Sequence, residues 1–430
     1  MKSKNTTLDF FKTSFGNILE WYDFSLYGIF ATSIAHSFFS NADPFVDLLL
    51  VFLTFSASFV ARPIGAVLFG HIGDKFGKHY SVNITVWLMA IPTILIAFLP
   101  TYHQIGVIAP LLLVSLRILQ GISVGGQISG LIAIAVDKGE KGKHSFLVSS
   151  ILSIVMIGCL LASAVSLISQ STVGQFSAEL AWRLPFVLSG VLFIIYLKLK
   201  PSSKKQPATK NVKLKTIFKK QPLEVIYMTL LSSLLGGVYY SIYSYLVTYL
   251  EIYTKAPKHQ ALFAINAISF FSLICFLLAG KFADMTSDRI NASKKITVVF
   301  CLGAVLLTAS NSFAWVVSCF FIMATAYCGL ASYLTGMHAE IFAPRYRMTA
   351  CSISYSGGAL LGGFSPFLSE VLAAKTTNGL FMYFLCLGLG LYLVIRKINA
   401  TDGYKKYVAV SEEVEILVPA KAGILAVAQK

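Results

Sequence analysis

Gly16-Asn17-Ile18-Leu19-Glu20-Trp21-Tyr22-Asp23-Phe24 places two carboxylates inside a stretch that otherwise reads as a membrane-spanning helix. A charged group near the bilayer centre costs at least about 2.5 kcal/mol, so intramembrane acids face a bundle interior and have a partner or a task. Glu20 and Asp23 are three residues apart and share one helical face. The segment predicts a helical bundle that moves polar solutes or ions through lipid. The competing reading is a structural ion pair with an intramembrane arginine.

Outward from this segment, apolar stretches of span length recur along nearly the whole chain. Of 430 residues, 56% are hydrophobic and 13% charged, and the mean hydropathy is +0.73. Soluble domains carry about 25% charged residues. With about 20 residues needed to cross the hydrocarbon, the pattern predicts an all-α integral membrane protein of twelve transmembrane helices. They fall near 15–39, 48–69, 82–99, 105–134, 146–168 and 184–199, then 223–249, 261–280, 295–312, 313–341, 349–374 and 378–395. This gives a six-helix bundle over 1–197, a basic cytoplasmic linker over 198–222, a second bundle over 223–398 and a cytoplasmic tail over 399–430.

The net charge of +16 follows topology. With the N-terminus inside, about 29 of the 35 Lys and Arg fall on the cytoplasmic side. No recognition module accompanies the charge, so nucleic acid is excluded as a partner. The seven cysteines all lie within spans at no metal spacing, and neither a cofactor nor a metal is expected. The first apolar stretch holds Glu20 and Asp23 and lacks a small-residue cleavage site, so the first helix is expected to remain. No nucleophile–base set points to an enzyme.

Between spans two and three lies Gly70-His71-Ile72-Gly73-Asp74-Lys75-Phe76-Gly77-Lys78, a short glycine-rich turn with an acid placed for a helix N-terminus. After span eight, Gly280-Lys281-Phe282-Ala283-Asp284 repeats the spacing. A motif at matching places in two halves signals an internal repeat, the usual build of a secondary transporter.

These segments resemble the major facilitator superfamily and, within it, the metabolite:proton symporter family of proline/betaine, 2-oxoglutarate, citrate and shikimate carriers. Arg62-Pro63-Ile64-Gly65, the run Arg117-Ile118-Leu119-Gln120-Gly121-Ile122-Ser123-Val124-Gly125-Gly126, Trp182-Arg183-Leu184-Pro185-Phe186 and Ala339-Glu340-Ile341-Phe342 also match. So do Arg345-Tyr346-Arg347 and Gly362-Gly363-Phe364-Ser365-Pro366-Phe367. The resemblance implies that Asp74 stabilises one gating state at a helix end, with Gly70, Lys75, Gly77 and Lys78 around it. It also implies that Arg117 is a buried arginine near mid-membrane, and that Glu20, Asp23 and Arg62 are the other charged members of the pathway. Asp284, Glu340, Arg345 and Arg347 are the gating candidates of the second half. The family commonly carries Glu after Gly125-Gly126, where this chain has Gln127, which cannot bind and release a proton. Either the coupling role moves to Glu20 or Asp23, which is the favoured expectation, or coupling is weakened.

Counting along the spans at about 1.5 Å per residue suggests two charge pairs at staggered depths, Glu20–Arg62 and Asp23–Arg117. Span seven is rich in tyrosine, and Tyr239 and Tyr243 share a face. Tyrosine faces attract ammonium groups; the competing reading is an interfacial aromatic belt, which suits Tyr249 and Tyr253 better. His338 with Glu340 is a candidate pH-sensitive latch. The second half shows no buried Lys or Arg, so charge balance favours a zwitterion such as proline or betaine over a tricarboxylate.

Together these readings predict proton-coupled symport of a small polar metabolite by alternating access, with the substrate, the proton and the lipid bilayer as partners. The expected setting is the bacterial inner (cytoplasmic) membrane, both termini cytoplasmic, the protein a monomer. The alternatives are an organic-acid or dicarboxylate:proton symporter and a non-transporting receptor on a carrier fold.

Overall fold

In the computed structural model the chain is built from helices that begin and end where apolar runs meet polar turns. The structure describes residues 2–39, 43–76, 78–125, 132, 144–199, 218–342, 347–376 and 378–401, with side chains described throughout except at 2–14, 70–76, 78–83, 339 and 347–349. The first half comprises α1 (Lys2–Ile29), α2 (Ala31–Phe38), α3 (Pro44–Phe76), α4 (Lys78–Phe98), the single turn α5 (Tyr102–Ile105), α6 (Ile108–Val124), α7 (Ser145–Thr172) and α8 (Ala178–Leu199). The second comprises α9 (Pro222–Tyr243), α10 (Leu246–Tyr253), α11 (Lys258–Met285), α12 (Arg289–Leu306), α13 (Phe313–Glu340), α14 (Arg347–Gly362), α15 (Ser365–Lys375) and α16 (Gly379–Ile398).

Three spans consist of two helices end to end: α1 with α2, α9 with α10, and α14 with α15. With the single helices α3, α4, α6, α7, α8, α11, α12, α13 and α16 they make twelve spans in two six-span bundles. Among the described residues eight stretches are long and apolar enough to cross a membrane, seven of them single helices and the eighth the α14–α15 pair. Large apolar side chains such as Val67, Phe98, Leu111, Phe263 and Leu393 point outward, as a lipid solvent allows.

Helix α1 begins at Lys2, ahead of the apolar run of the first span. One expected boundary moves. Span nine runs from Arg289 to Leu306 rather than over 295–312, because Asp288 caps it, accepting a hydrogen bond from the Asn291 N–H at 2.9 Å. The core of the expected linker (200–217) and the tail beyond 401 lie outside the described residues.

Within the first half, α3 packs closely on α6. A Cβ at Gly65 would stand 1.8 Å from the Ile122 carbonyl oxygen, and one at Gly121 would stand 1.9 Å from that of Ser58. Two of the motif segments are thus facing sides of one close contact, the small-residue packing that associates helices in lipid. Between the halves, α7 lies along α11, and α3 lies against α14 and α15.

The lead helix of each half bends at a corresponding place, at Phe30 (φ −102°, ψ 18°) and at Ser244 (φ −109°, ψ −23°). The last bonds before the bends are Phe30 N–H to Leu26 O at 2.9 Å and Ser244 N–H to Tyr240 O at 3.0 Å, and the ladder resumes beyond them with Ile34 N–H to Phe30 O at 2.8 Å and Tyr249 N–H to Tyr245 O at 3.0 Å. They meet: a Cβ on Gly28 would fall 2.5 Å from the Ser244 carbonyl oxygen.

Candidate functional site

Four helices of the first half bring their polar side chains to one buried cluster. On α1, Glu20 and Asp23 are each 1% exposed. Asp23 is fully engaged. Arg117 of α6 donates to its Oδ2 at 2.7 Å and Gln120 donates to its Oδ1 at 2.8 Å. Gln120, one turn beyond Arg117, also accepts from Arg117 at 2.7 Å and donates to Thr93 of α4 at 2.8 Å. The Arg117 guanidinium lies over the Tyr27 ring at 4.1 Å, an attraction strengthened by desolvation.

Glu20 is held differently. Its closest cation is Arg62 of α3 at 3.8 Å, and among the described residues neither of its oxygens has a hydrogen-bond partner. Arg62 rests over Phe59 at 4.2 Å and Phe24 at 4.9 Å. The structure therefore brings Glu20 to Arg62 and Asp23 to Arg117, and adds Gln120, whose part the sequence reading missed.

Beside this cluster a narrow cavity runs between the halves. Trp21, Val155 and Met156 line it from the first half, and Tyr239, Tyr240, Tyr327, His338 and Tyr355 from the second. Trp21 and Tyr239 meet edge to face at 4.8 Å, and Tyr240 meets Phe59 at 4.8 Å. Tyr239 lines the cavity, its hydroxyl 3.0 Å from the Cys159 sulfur. Tyr243 stands behind it, bonded to Ser272 at 2.6 Å. Tyr249, expected in an aromatic belt, is buried, and Tyr253 bonds to Glu370 at 3.1 Å.

At the end where α3 gives way to α4 (the motif end), the Asp284 carboxylate accepts from the backbone N–H groups of Ser145 and Phe146 at 2.9 and 3.0 Å. A second-half acid thereby caps the N-terminus of a first-half helix. Arg289 reaches Asp284 at 3.4 Å and Glu340 at 4.0 Å. Glu340 also pairs with His144 at 3.0 Å.

Two expectations need correction here. His338 is not paired with Glu340: its ring nitrogens face Ser232 at 3.2 Å and Ser354 at 2.6 Å. Residues two apart point to different sides of a helix. The second half does hold a buried arginine, Arg289, although acids offset it at the motif end. Gly77, Gln127 and Arg345 lie outside the described residues. Gly70, Asp74 and Lys75 fall in α3, Lys78 opens α4 and Arg347 opens α14, all without described side chains.

At the opposite end the halves meet again. Thr32 donates to Glu251 at 3.3 Å, Glu251 pairs with Lys258 at 3.6 Å, and the Lys258 ammonium lies 5.1 Å from the Phe30 ring centre. Glu370 of α15 accepts from Tyr245 at 2.6 Å. Cross-half contacts thus stand at both ends of the cavity.

The comparisons agree with this architecture. A shikimate transporter of Escherichia coli (strain K12) is 30% identical over 383 residues, covering 83% of this chain and 85% of its own length. A putative proline/betaine transporter of Staphylococcus aureus (strain MSSA476) is 28% identical, covering 88% of this chain and 84% of its own. The crystal structure of a D-xylose-proton symporter superposes with a TM-score of 0.71 at 18% identity, covering 91% of this chain and 97% of that one. The human organic anion transporter MFSD10 gives 0.64 at 13% identity, covering 90% and 99%. These last two show a shared fold. With the Major Facilitator Superfamily model matching residues 13–293 as well, the chain belongs to that superfamily and is a multi-pass membrane transporter, not an enzyme.

Proposed function

We propose that this transporter is a proton-coupled symporter that takes up a small polar metabolite by alternating access, with a zwitterion such as proline or a betaine as the favoured substrate. The observation that carries the reading is the pair of buried acid–arginine contacts, Glu20–Arg62 and Asp23–Arg117, next to a cavity between the halves. A carboxylate and an arginine within a few ångströms in a low dielectric form a proton-dependent switch, because protonating the acid leaves the cation without its counter-charge. Trp21, Tyr239 and Tyr240 offer ring faces to an ammonium group.

In this reading the protein sits as a monomer in a bacterial inner membrane with both termini in the cytoplasm. The motif end is then the cytoplasmic gate. Asp74, with Gly70, Lys75, Gly77 and Lys78, is the first-half counterpart of Asp284, and Arg345 and Arg347 join Glu340 at the same gate.

A second reading has its own support. The most identical relative quoted above is a shikimate transporter, so its substrate is a carboxylate, and Arg62 offers a cation for such a group. An organic acid is therefore the alternative substrate class.

The test uses purified protein in liposomes with an inward proton gradient and labelled proline, glycine betaine, shikimate, 2-oxoglutarate and citrate. Gradient-stimulated, charge-carrying uptake of a zwitterion is the expected result, since a neutral solute with a proton moves net positive charge. Electroneutral uptake of shikimate would replace the zwitterion with a monocarboxylate while keeping the coupling. Uptake indifferent to the gradient would reject symport.

A further inference from the structure

The two acids of α1 lie one turn apart, yet their surroundings divide them. Both oxygens of Asp23 face N–H donors, Arg117 at 2.7 Å and the Gln120 amide at 2.8 Å. The Gln120 amide has no freedom to turn: its oxygen takes the Arg117 bond and its nitrogen also serves Thr93. A proton on Asp23 would point at one of these donors and break a bond to a carboxylate whose two oxygens are both engaged, even though Nε and Nη2 of Arg117 themselves have no partner among the described residues. Glu20 has no such bond to lose, since neither oxygen accepts one.

The same side of α1 carries further unpartnered polar atoms. Asn17, one turn before Glu20, is fully buried with both amide atoms unpartnered, as is the Trp21 indole nitrogen. Opposite them, Nε and Nη2 of Arg62 have no hydrogen-bond partner. Buried polar groups are nearly always satisfied in folded proteins, so such a concentration marks a site. Arg62 is two rings from the cavity: it rests on Phe59, Phe59 packs on Tyr240, and Tyr240 lines the cavity wall.

We infer that Glu20 is the carboxylate that takes the coupling proton, that its neutralisation frees Arg62 to hold the anionic end of the substrate, and that Asp23 is a positioning residue. The inference rests on the symport reading above and divides the labour within it. With Glu20 ionised, the Glu20–Arg62 pair is neutral. A proton arriving from water on the uptake side bonds to a Glu20 oxygen, and Arg62 is left as a buried cation without a counter-charge. The carboxylate of a zwitterion or an organic acid restores that balance. Proton and substrate anion therefore each favour the other's binding, and losing the proton on the other side returns Arg62 to Glu20 and expels the substrate. The groups facing Glu20 are Arg62 from α3, Asp23 on its own helix, Tyr240 from α9 and Tyr355 from α14. Cys159 of α7 stands beyond them, against Tyr239.

The test begins without substrate. Infrared difference spectra of the full-length protein in liposomes, recorded while the pH is lowered, report the carbonyl band of a newly protonated carboxyl group. The expected band is present in the native protein, absent in Glu20→Gln and retained in Asp23→Asn. A band lost in Asp23→Asn but kept in Glu20→Gln overturns the assignment, as does a band kept in both or lost in both. Thermal melting of each variant verifies that it is folded, and Glu20→Asp, which should restore a band, replaces Glu20→Gln where that variant does not fold.

A second arm uses whichever of labelled proline, glycine betaine or shikimate the native protein accumulates. Its apparent affinity should weaken about tenfold per pH unit on the alkaline side of the transition, with the dependence flat in Glu20→Gln and still sloped in Asp23→Asn. The converse pattern overturns the inference. Failure to accumulate any probe would count against symport, while the infrared arm would still decide between the two acids.

Discussion

Asp284 and Ser145 belong to opposite halves, yet the carboxylate of one accepts the backbone N–H of the other at 2.9 Å, with Phe146 adding a second bond at 3.0 Å. An acid at a helix N-terminus satisfies orphan donors and offsets the dipole, and it does so only while the halves touch at this end. Asp284→Asn should weaken that closed arrangement by about 1 kcal/mol and Asp284→Ala by roughly 1–2 kcal/mol. Distances between spin labels on α7 and α11 at the motif end would show the open population growing by about fivefold or more. Unchanged distance distributions would remove Asp284 from the gate.

His144 should support the same closure. Its imidazole lies 3.0 Å from Glu340 with both side chains buried, and Arg289 reaches the same acid. Removing one partner of a buried polar contact leaves the other without its bond, at roughly 1–3 kcal/mol. Hydrogen exchange at the first turn of α7 should therefore be faster in His144→Ala than in the native protein, and unchanged exchange would remove His144 from the gate.

Arg117→Lys is not a conservative change here. Lysine cannot reproduce the planar contacts to Asp23 and Gln120 or the stacking over Tyr27. A loss of roughly 2–4 kcal/mol is expected, visible as a lower melting temperature of the purified protein. Arg117→Gln should cost at least as much, because it leaves Asp23 buried without a cation. A native melting temperature in either variant would mean that the network contributes little to the fold.

Gly121→Val tests the close α3–α6 contact. Its added atoms would collide with the Ser58 backbone, which cannot rotate away as a side chain can. Overpacking of this kind costs roughly 1–3 kcal/mol or more, so the yield of folded protein and its melting temperature should both fall. Gly190→Ala provides the contrast, since a Cβ there would meet only the side chain of Ile94 at 3.4 Å.

Hydropathy carried most of the architecture because lipid imposes long apolar runs, and the polar turns around Asp288 and Ser310 mark where those runs stop. The bends at Phe30 and Ser244 were not legible, since no proline or glycine stands at either position to mark where the ladder of backbone bonds is interrupted. The depth count brought Glu20 to the level of Arg62 and Asp23 to that of Arg117, and the structure sets each pair within 4 Å. Gln120 was hidden in a motif that reads as helix packing, and only its two-sided bonding to Asp23 and Arg117 reveals its part. Glu370 escaped notice because its partners, Tyr245 and Tyr253, come from another span. The His338–Glu340 pairing failed on helix geometry alone, and the histidine that does meet Glu340 is nearly two hundred residues away in sequence, a distance no local pattern spans.

The paired bends in the lead helices have a kinetic consequence. The ladder of backbone bonds is interrupted at each bend: after Phe30 N–H to Leu26 O it resumes at Ile34 N–H to Phe30 O, and after Ser244 N–H to Tyr240 O it resumes at Tyr249 N–H to Tyr245 O, so the angle there can change without breaking a bond inside either helix. The short segments α2 and α10 can swing like hinged flaps while Glu20 and Trp21, lower on α1, keep their registration with α3 and α9. Admission of solute and titration of the buried acid are then separable events with separate rate constants. A bulkier residue at Gly28, pressed against Ser244, would prop the flaps apart and alter how fast solute enters or leaves without retuning the acid that drives it.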